Sequence, residues 1–151
     1  MVFALLAAVT AASSDVKLGV IHAQLYYLDT GRLSDDVLSR PKPFIYWNTI
    51  IGEGDAEEAA DDLLITVQLN GEKFGRPEDN QKLITDPVRL TATNEKGKVV
   101  ATRTFTNMLL SVRGSTTLPL WLRDITCESI TVKATFRDQM TTAHLKMACG
   151  E

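Results

Sequence analysis

Apolar and polar residues alternate with a period of two along much of the chain from about residue 18 onward. The alternation is clearest in residues 20–28, 63–69 and 88–94. Because successive side chains of a strand point to opposite faces, these stretches predict strands with one buried face. The side chains predicted to face the core are Ile21, Ala23, Leu25, Tyr27, Leu63, Ile65, Val67, Leu69, Val88, Leu90 and Ala92.

Five further stretches complete a set of eight candidate strands, and no long helix is predicted. They are residues 44–51, 99–105, 118–122, 130–136 and 141–148. Residues 44–51 are apolar or aromatic on both faces, which is typical of a strand covered on both sides. Pro119 cannot donate a ladder hydrogen bond, so its strand is expected at a sheet edge. Residues 104–112 favour either a helical turn or a continued strand with a bulge.

Many short strands separated by loops rich in proline, glycine and charge predict an all-β fold. The expected architecture is an antiparallel β-sandwich of seven to eight strands, with immunoglobulin-like, Greek-key topology. A small β-barrel is the alternative. The Cys…Trp…Cys spacing of immunoglobulin domains is absent, because both cysteines lie near the C-terminus. The expected likeness is therefore one of architecture alone.

Two hairpins are predicted. Residues 88–105 form the first, around a turn at 94–98 where Gly97 supplies a positive φ. The second joins 130–136 to 141–148 around a two-residue turn at 138–139. In that register Ile130 faces Met147 and Phe136 faces Thr141.

The N-terminus predicts export. Residues 1–14 (MVFALLAAVTAASS) carry no charged side chain, and an apolar run is followed by small residues that suit signal cleavage. The run is too short to span a bilayer. A signal peptide at 1–14 leaves a single domain at 15–151 in the periplasm or outside the cell. The net charge of −3 gives no reason to expect a nucleic-acid partner.

The two cysteines, Cys127 and Cys149, are predicted to form a disulfide, since an oxidising compartment would join the only pair in the chain. In the predicted hairpin register Cys127 faces Gly150, one position beyond Cys149. A bulge or bend near 128–129 is therefore expected to bring the sulfur atoms together.

Catalysis has little support in the sequence. The chain has two histidines, His22 and His144, both in predicted strands, and no G-x-S-x-G motif. No cofactor is expected.

A copper site within 140–147 fails locally, because Met140 and His144 lie about 13 Å apart along a strand. Met147 is expected in the core, and His22 can meet His144 only if the first and last strands are neighbours.

An acidic stretch, IIGEGDAEEAADDLL at 50–64, follows the aromatic run. Its spacing fails the EF-hand template, which requires glycine at position 6. The Asp55–Glu58 spacing instead suits a capped helical turn in a solvated connection. Two alternatives stay open: calcium binding through Glu53, Asp55 and Asp61, and contact with a partner. The possible partner-binding residues are Trp47, Glu53, Asp55, Glu57 and Glu58.

These observations favour an exported, non-catalytic binding or accessory domain that recognises a protein or a cell-envelope component. Rigid strands would present the loops at 29–43, 52–62 and 70–87. The aromatic residues on strands are expected in the core rather than in a carbohydrate groove. The alternative function is periplasmic binding of calcium or copper, for which no metal ligands are assigned.

Overall fold

The computed structural model describes most of the chain from residue 16 onward. The described residues are 16–40, 44–47, 56, 60, 62–72 and 82–149, with the backbone alone described for 44–47 and 148–149. They contain twelve β-strands and one turn of 3-10 helix, Val37–Ser39. In chain order the strands are β1 (Lys17–Tyr27), β2 (Arg32–Leu33), β3 (Phe44–Trp47), β4 (Asp62–Asn70), β5 (Lys82–Ile84), β6 (Val88–Asn94), β7 (Val99–Phe105), β8 (Met108–Leu110), β9 (Ser115–Leu122), β10 (Ile130–Phe136), β11 (Gln139–Leu145) and β12 (Met147–Cys149).

Eight of these strands form two four-stranded sheets. The first has the order β2-β1-β4-β9 and the second β11-β10-β6-β7, with antiparallel neighbours throughout. Buried side chains from both sheets belong to one hydrophobic core, which is the arrangement of a β-sandwich. The predicted antiparallel β-sandwich is confirmed. The two sheets are separate in the described part of the chain and do not close into the alternative barrel.

The order of the strands makes the sandwich immunoglobulin-like. The chain passes from β4 in the first sheet to the hairpin β6–β7 in the second. It returns to the first sheet as β9 beside β4, then crosses again to place β10 beside β6. Such crossovers between two sheets are typical of Greek-key sandwiches. Strands β7 and β9 consequently lie at the ends of their sheets.

The buried faces follow the alternation in the sequence. The inward side chains of β1, β4 and β6 are at most 4% exposed, as predicted. Phe136 on β10 is fully buried, and Met147 lies in the core as expected. Strand β9 is an edge strand, which confirms the inference from Pro119. The first hairpin is also confirmed, with Gly97 at φ +74° in its turn.

The predicted register of the second hairpin is wrong by two residues. Its turn lies at Arg137 and Asp138, so that Phe136 pairs with Gln139 and Ile130 with Leu145. Arg137 takes a positive φ of 54° and binds Asp86 through its guanidinium, with an Nη2–Oδ2 distance of 2.7 Å. A shift of two residues keeps every side chain on the same face, so the apolar pattern does not detect it.

Met147 is not paired with β10, because the chain beyond Leu145 leaves the hairpin. Strand β12 instead runs parallel to β3, with Ala148 opposite Ile45 and Cys149 opposite Trp47. The parallel pair β3–β12 and the antiparallel pair β5–β8 are separate two-stranded sheets. The terminal residues 141–148 therefore form two strands rather than one.

Four short strands raise the number above the predicted seven to eight: β2, β5, β8 and β12. Residues 104–112 contain neither a helical turn nor a continued strand. Asn107 breaks the chain at a positive φ of 53°, and β8 then pairs with β5. The second half of the aromatic stretch, 48–51, lies outside the described residues.

Candidate functional site

A groove of about 650 Å³ opens on the side of the sandwich, where the two edge strands β7 and β9 meet. The turn between β6 and β7 forms one boundary, and the loop 123–129 after β9 forms another. Core residues supply the floor: Leu122, Ile125 and Ile130 are at most 9% exposed. The groove is therefore an opening into the apolar interior between two sheet edges.

Two large apolar side chains lie at the groove and remain open to solvent. Trp121 on β9 is 41% exposed, and its ring meets the ring of Tyr26 edge to face, with centroids 5.4 Å apart. Val100 on β7 is 47% exposed. The contact with Tyr26 limits the rotation of the indole, so the tryptophan offers a positioned apolar surface.

Val100 reaches the groove because of a β-bulge. The register of β6 and β7 shifts between Ala92 and Thr93, where Ala101 pairs with Ala92 but Val99 pairs with Thr93. Val100 is the extra residue. A bulge bends the edge strand and redirects a side chain, which explains how Val99 and Val100 are both exposed while Val100 lines the groove.

The charged residues at the groove are three cations and two anions: Lys96, Lys98, Arg123, Asp124 and Glu128. Lys96 and Glu128 form an ion pair at 3.5 Å, but the lysine side chain is 81% exposed, so the pair contributes little stability. Within the described residues, no ion pair is found for Lys98 or Arg123. Two cations are thus left to act on a bound anion.

The side chain of Asn94 organises the turn beside the groove. Its Oδ1 accepts hydrogen bonds from the backbone N–H groups of Lys96 and Lys98, at 3.1 and 3.0 Å. The Asn94 backbone N–H donates to the Lys98 carbonyl at 2.9 Å. Asparagine favours such turns because its side chain bonds to the backbone two residues onward. These hydrogen bonds consequently fix the backbone that carries the side chains of Lys96 and Lys98.

A second set of hydrogen bonds ties this turn to the loop 123–129. Asn94 Nδ2 donates to Glu128 Oε2 at 2.8 Å, and the Ser129 N–H donates to Glu95 Oε1 at 3.0 Å. Hydrogen bonding from Ser129 lowers the pKa of Glu95 below its usual value of 4.5. Hydrogen bonds to the ionised form cause such shifts. These contacts, called the turn–loop clasp below, fix two walls of the groove relative to each other.

We predict that Asn94→Asp loosens the turn–loop clasp without destroying the turn. The aspartate keeps the acceptor for Lys96 and Lys98, but it places a carboxylate oxygen against the carboxylate of Glu128. The expected loss is about 1.5–3 kcal/mol in the free energy of unfolding, the range for a broken hydrogen bond to a charged group. Denaturant unfolding measures the loss, and the amide shift of Ser129 in NMR spectra reports the loop.

The double variant N94D/E128Q is the matched control for this prediction. The side-chain amide introduced at position 128 can donate a hydrogen to the carboxylate introduced at position 94, so the hydrogen bond returns with donor and acceptor exchanged. Most of the lost stability should therefore be recovered. A double variant as unstable as N94D would contradict the assignment of the effect to the clasp.

A separate polar cluster lies on the outer side of β1. His22 Nδ1 and Asp36 Oδ2 are 2.6 Å apart, and Asp36 Oδ1 accepts from the N–H groups of Ala23 and Leu38 at 3.0 and 3.1 Å. Asp36 also caps the 3-10 helix. Its carboxylate is occupied by these partners, so the cluster holds the segment after β2 against β1. The described contacts of this cluster therefore have a structural role.

The possible partner-binding residues of the acidic stretch are not tested by the described structure. Trp47 is described by its backbone alone, in β3, while Glu53, Asp55, Glu57 and Glu58 lie outside the described residues. Two alanines of the stretch are described. Ala60 is buried in the core, and Ala56 is partly buried and packs against the core.

Cys127 lies in the loop 123–129, between Thr126 and Glu128, which both line the groove. No cysteine among the residues described is free, but the side chain of Cys149 is not described. The pairing of Cys127 with Cys149 therefore stays a prediction. It bears on the groove, because one of its ends lies in a groove wall.

The residues considered for metal binding are engaged separately. His144 Nδ1 lies 3.0 Å from Thr131 Oγ1, whereas His22 contacts Asp36. Over the described ranges, no group of three or more histidine, cysteine, aspartate and glutamate side chains is placed to hold an ion. In the same ranges, no helix is long and apolar enough to cross a membrane.

Sequence reasoning missed the groove, although one signal was present. Val99 and Val100 are consecutive apolar residues in a strand that otherwise exposes polar side chains. Such a doublet interrupts the period of two and indicates a bulge. Trp121 was expected in the core with the other strand aromatics, but it lies between the inward Leu120 and Leu122 and faces outward.

Comparison with known proteins gives a weak structural similarity and no family. No protein-family model matches the chain, and no curated protein does so. Among solved structures, the chain is similar to β-glucuronidase of Bifidobacterium dentium complexed with coumarin-3-O-glucuronide, at 13% identity and a TM-score of 0.43. The match covers 89% of this chain and 18% of that one.

Proposed function

We propose that the protein is an exported, non-catalytic binding domain that recognises a protein or a cell-envelope component, and that the groove between β7 and β9 is its binding surface. The observation that carries the proposal is the exposed Trp121 beside the cations Lys98 and Arg123. A groove of about 650 Å³ lies within the roughly 300–1,000 Å³ range of ligand sites. Such sites combine apolar lining with a few polar groups, as here.

Export and a disulfide belong to the same proposal. Residues 1–14 have the composition of a signal peptide, and an oxidising compartment would join Cys127 to Cys149. The pairing is supported by the absence of a free cysteine among the described residues. Because Cys127 lies in the loop 123–129, the bridge would link a groove wall to the C-terminal strand β12.

Site-specific photo-crosslinking tests the binding surface. A photo-reactive amino acid is placed at Val100 in the groove, and in a control protein at Met140, which is 61% exposed on the opposite edge strand, β11. Both proteins are expressed in the cells that make the native chain. We expect irradiation to give a discrete crosslinked product from position 100, in the exported fraction, and none of that mass from position 140.

Two outcomes would contradict the proposal. Equal products from both positions would show that contact at the groove is non-specific. No product from position 100, with the protein folded and abundant, would show that the groove has no partner. Recovery of both proteins in the cytoplasm with residues 1–14 intact would overturn export independently of binding.

A further inference from the structure

The backbone at the groove is arranged to receive an extended chain. Among the strands that the structure describes, β7 pairs only with β6, and β9 pairs only with β4. Every second residue of an edge strand directs its N–H and C=O away from the sheet, where another strand can pair. Binding proteins use such edges to capture extended peptides. The groove runs between two edges of this kind.

One side-chain contact shows which way the backbone of β9 points. Arg103 on β7 donates from Nη1 to the Pro119 carbonyl at 3.2 Å, so this carbonyl is directed toward β7. Trp121 lies two residues further along β9, and alternate residues of a strand direct their backbone groups to the same side. The N–H and C=O of Trp121 therefore point toward the groove and can pair with a chain lying in it.

The charge at the groove selects the kind of chain. Lys98 and Arg123 have no ion-pair partner among the described residues, whereas Glu128 is occupied by Asn94 and Lys96. Asp124, the other anion at the groove, also has no ion-pair partner among the described residues. An acidic ligand therefore meets two available cations, whereas a basic ligand meets one available anion. Charge complementarity of this type sets the rate and specificity of association.

The apolar surface selects alternate side chains. Val100 and Trp121 flank a floor of Leu122, Ile125 and Ile130. A chain with acidic and apolar residues in alternation would present its apolar side chains to this floor and its carboxylates to the rim, since successive side chains of a strand point in opposite directions. A sugar chain lacks the regular repeat of N–H and C=O groups that pairs along a strand edge.

We infer that the groove binds an extended acidic segment of a partner protein, with carboxylates at Lys98 and Arg123 and an apolar side chain against Trp121 and Val100. This inference rests on the proposed function, because it assigns a ligand class to the same groove. It adds the chemistry of the ligand and the extended conformation in which the ligand is held.

Peptide titration of the full folded protein, followed by NMR, tests the inference. The probes are capped hexapeptides in which glutamate alternates with valine, leucine or phenylalanine in all combinations, together with the same set carrying lysine in place of glutamate. We expect members of the acidic set to shift the Val100 amide and the Trp121 indole N–H. The lysine set should leave both signals in place.

Charge reversal identifies the cations. The double variant K98E/R123E should weaken binding of the best acidic peptide at least tenfold, and binding should fall as salt is raised. Lys133→Glu is the control, since Lys133 is an exposed cation on β10 that does not line the groove. It should leave the affinity within twofold of that of the unchanged protein.

Three results would overturn the inference: no shift at Val100 or Trp121 with any acidic peptide, equal binding of the lysine set, or equal loss of affinity in Lys133→Glu. An oligogalacturonate of matched charge serves as the carbohydrate probe. Tighter binding of this probe than of the peptides, with the same dependence on Lys98 and Arg123, would overturn the inference and identify the ligand as an anionic glycan. If position 100 captures a partner but acidic peptides fail, the proposed function stands and the ligand class is wrong.

Discussion

Replacing Gly114 by alanine will lower the free energy of unfolding by more than about 3 kcal/mol. Gly114 has φ +76°, a conformation that residues with a Cβ rarely adopt. An added Cβ would also lie 2.6 Å from the Gly71 carbonyl oxygen and 2.9 Å from that of Glu72. Both neighbours are backbone atoms, so relief requires movement of the chain itself.

The position of Gly114 makes that movement costly. Its carbonyl accepts from the Gly71 N–H at 2.7 Å, and its own N–H donates to the Ser111 carbonyl at 2.8 Å. The first bond joins the residue after β4 to the residue before β9, two strands that pair from Leu63 and Leu122 to Asn70 and Ser115. The second bond closes the turn between β8 and β9. Displacing Gly114 would weaken the entry into an edge strand of the first sheet.

Gly97→Ala is the matched control for this substitution. Gly97 has nearly the same φ, +74°, but a Cβ there would meet no atom within 4 Å. It should cost about 1–2 kcal/mol, the penalty of a left-handed conformation alone. Urea unfolding of the two variants separates the cost of the left-handed backbone from the cost of the steric clash between the added Cβ and the neighbouring backbone. Equal losses would contradict the role assigned to the Gly71 and Glu72 carbonyls.

Alternation of apolar residues was sufficient to predict the fold class and the buried faces. It succeeded in β1, β4 and β6 because each has one face in the core and one in solvent. It did not predict β5 or β8, because a strand of three residues is too short to establish a period. These short strands depend on pairing with each other, which is a tertiary contact.

Turns were predictable where glycine supplied the backbone. Gly97 marks its turn in the sequence, but the second hairpin turns at Arg137, a residue that rarely takes a positive φ. The bond from Arg137 to Asp86 and its stacking on Phe136, at 4.8 Å from the ring centroid, accompany that conformation. The contact with Asp86 is long-range and leaves no local pattern, so the register was misplaced.

The groove could not be predicted for a related reason. Its walls come from two segments that are distant in sequence: the turn at 94–98, and the end of β9 with the loop 123–129 that follows it. Crossovers between the sheets bring them to one side of the sandwich. The sequence shows that residue 121 is a tryptophan and residue 98 a lysine, but it does not show that both line one groove. That depends on which strands become the edges of the two sheets.

The effect of the proposed disulfide can be predicted both for stability and for the groove. Replacing Cys127 and Cys149 by serine should lower the free energy of unfolding by roughly 3 kcal/mol, because a bridge closing a loop of about 20 residues restricts the unfolded chain by that amount. Denaturant unfolding with and without reductant measures the difference. The reduced protein should match the double variant.

Single variants supply the control. A bridge is lost when either cysteine is replaced, so Cys127→Ser, Cys149→Ser and the double variant should be equally stable. Losses that add between the two positions would contradict a bond between them. Two free thiols in the exported protein, detected by mass spectrometry without reduction, would do the same.

The same variants test whether the bridge holds a groove wall. Without it, the loop 123–129 is held by the clasp from Asn94 and Glu95 and by the buried side chain of Ile125. We expect the reduced protein to bind the best acidic peptide several-fold more weakly, through greater mobility of Arg123. Unchanged affinity in a reduced protein that has lost stability would show that the clasp alone fixes the loop, and that the bridge acts on the unfolded chain.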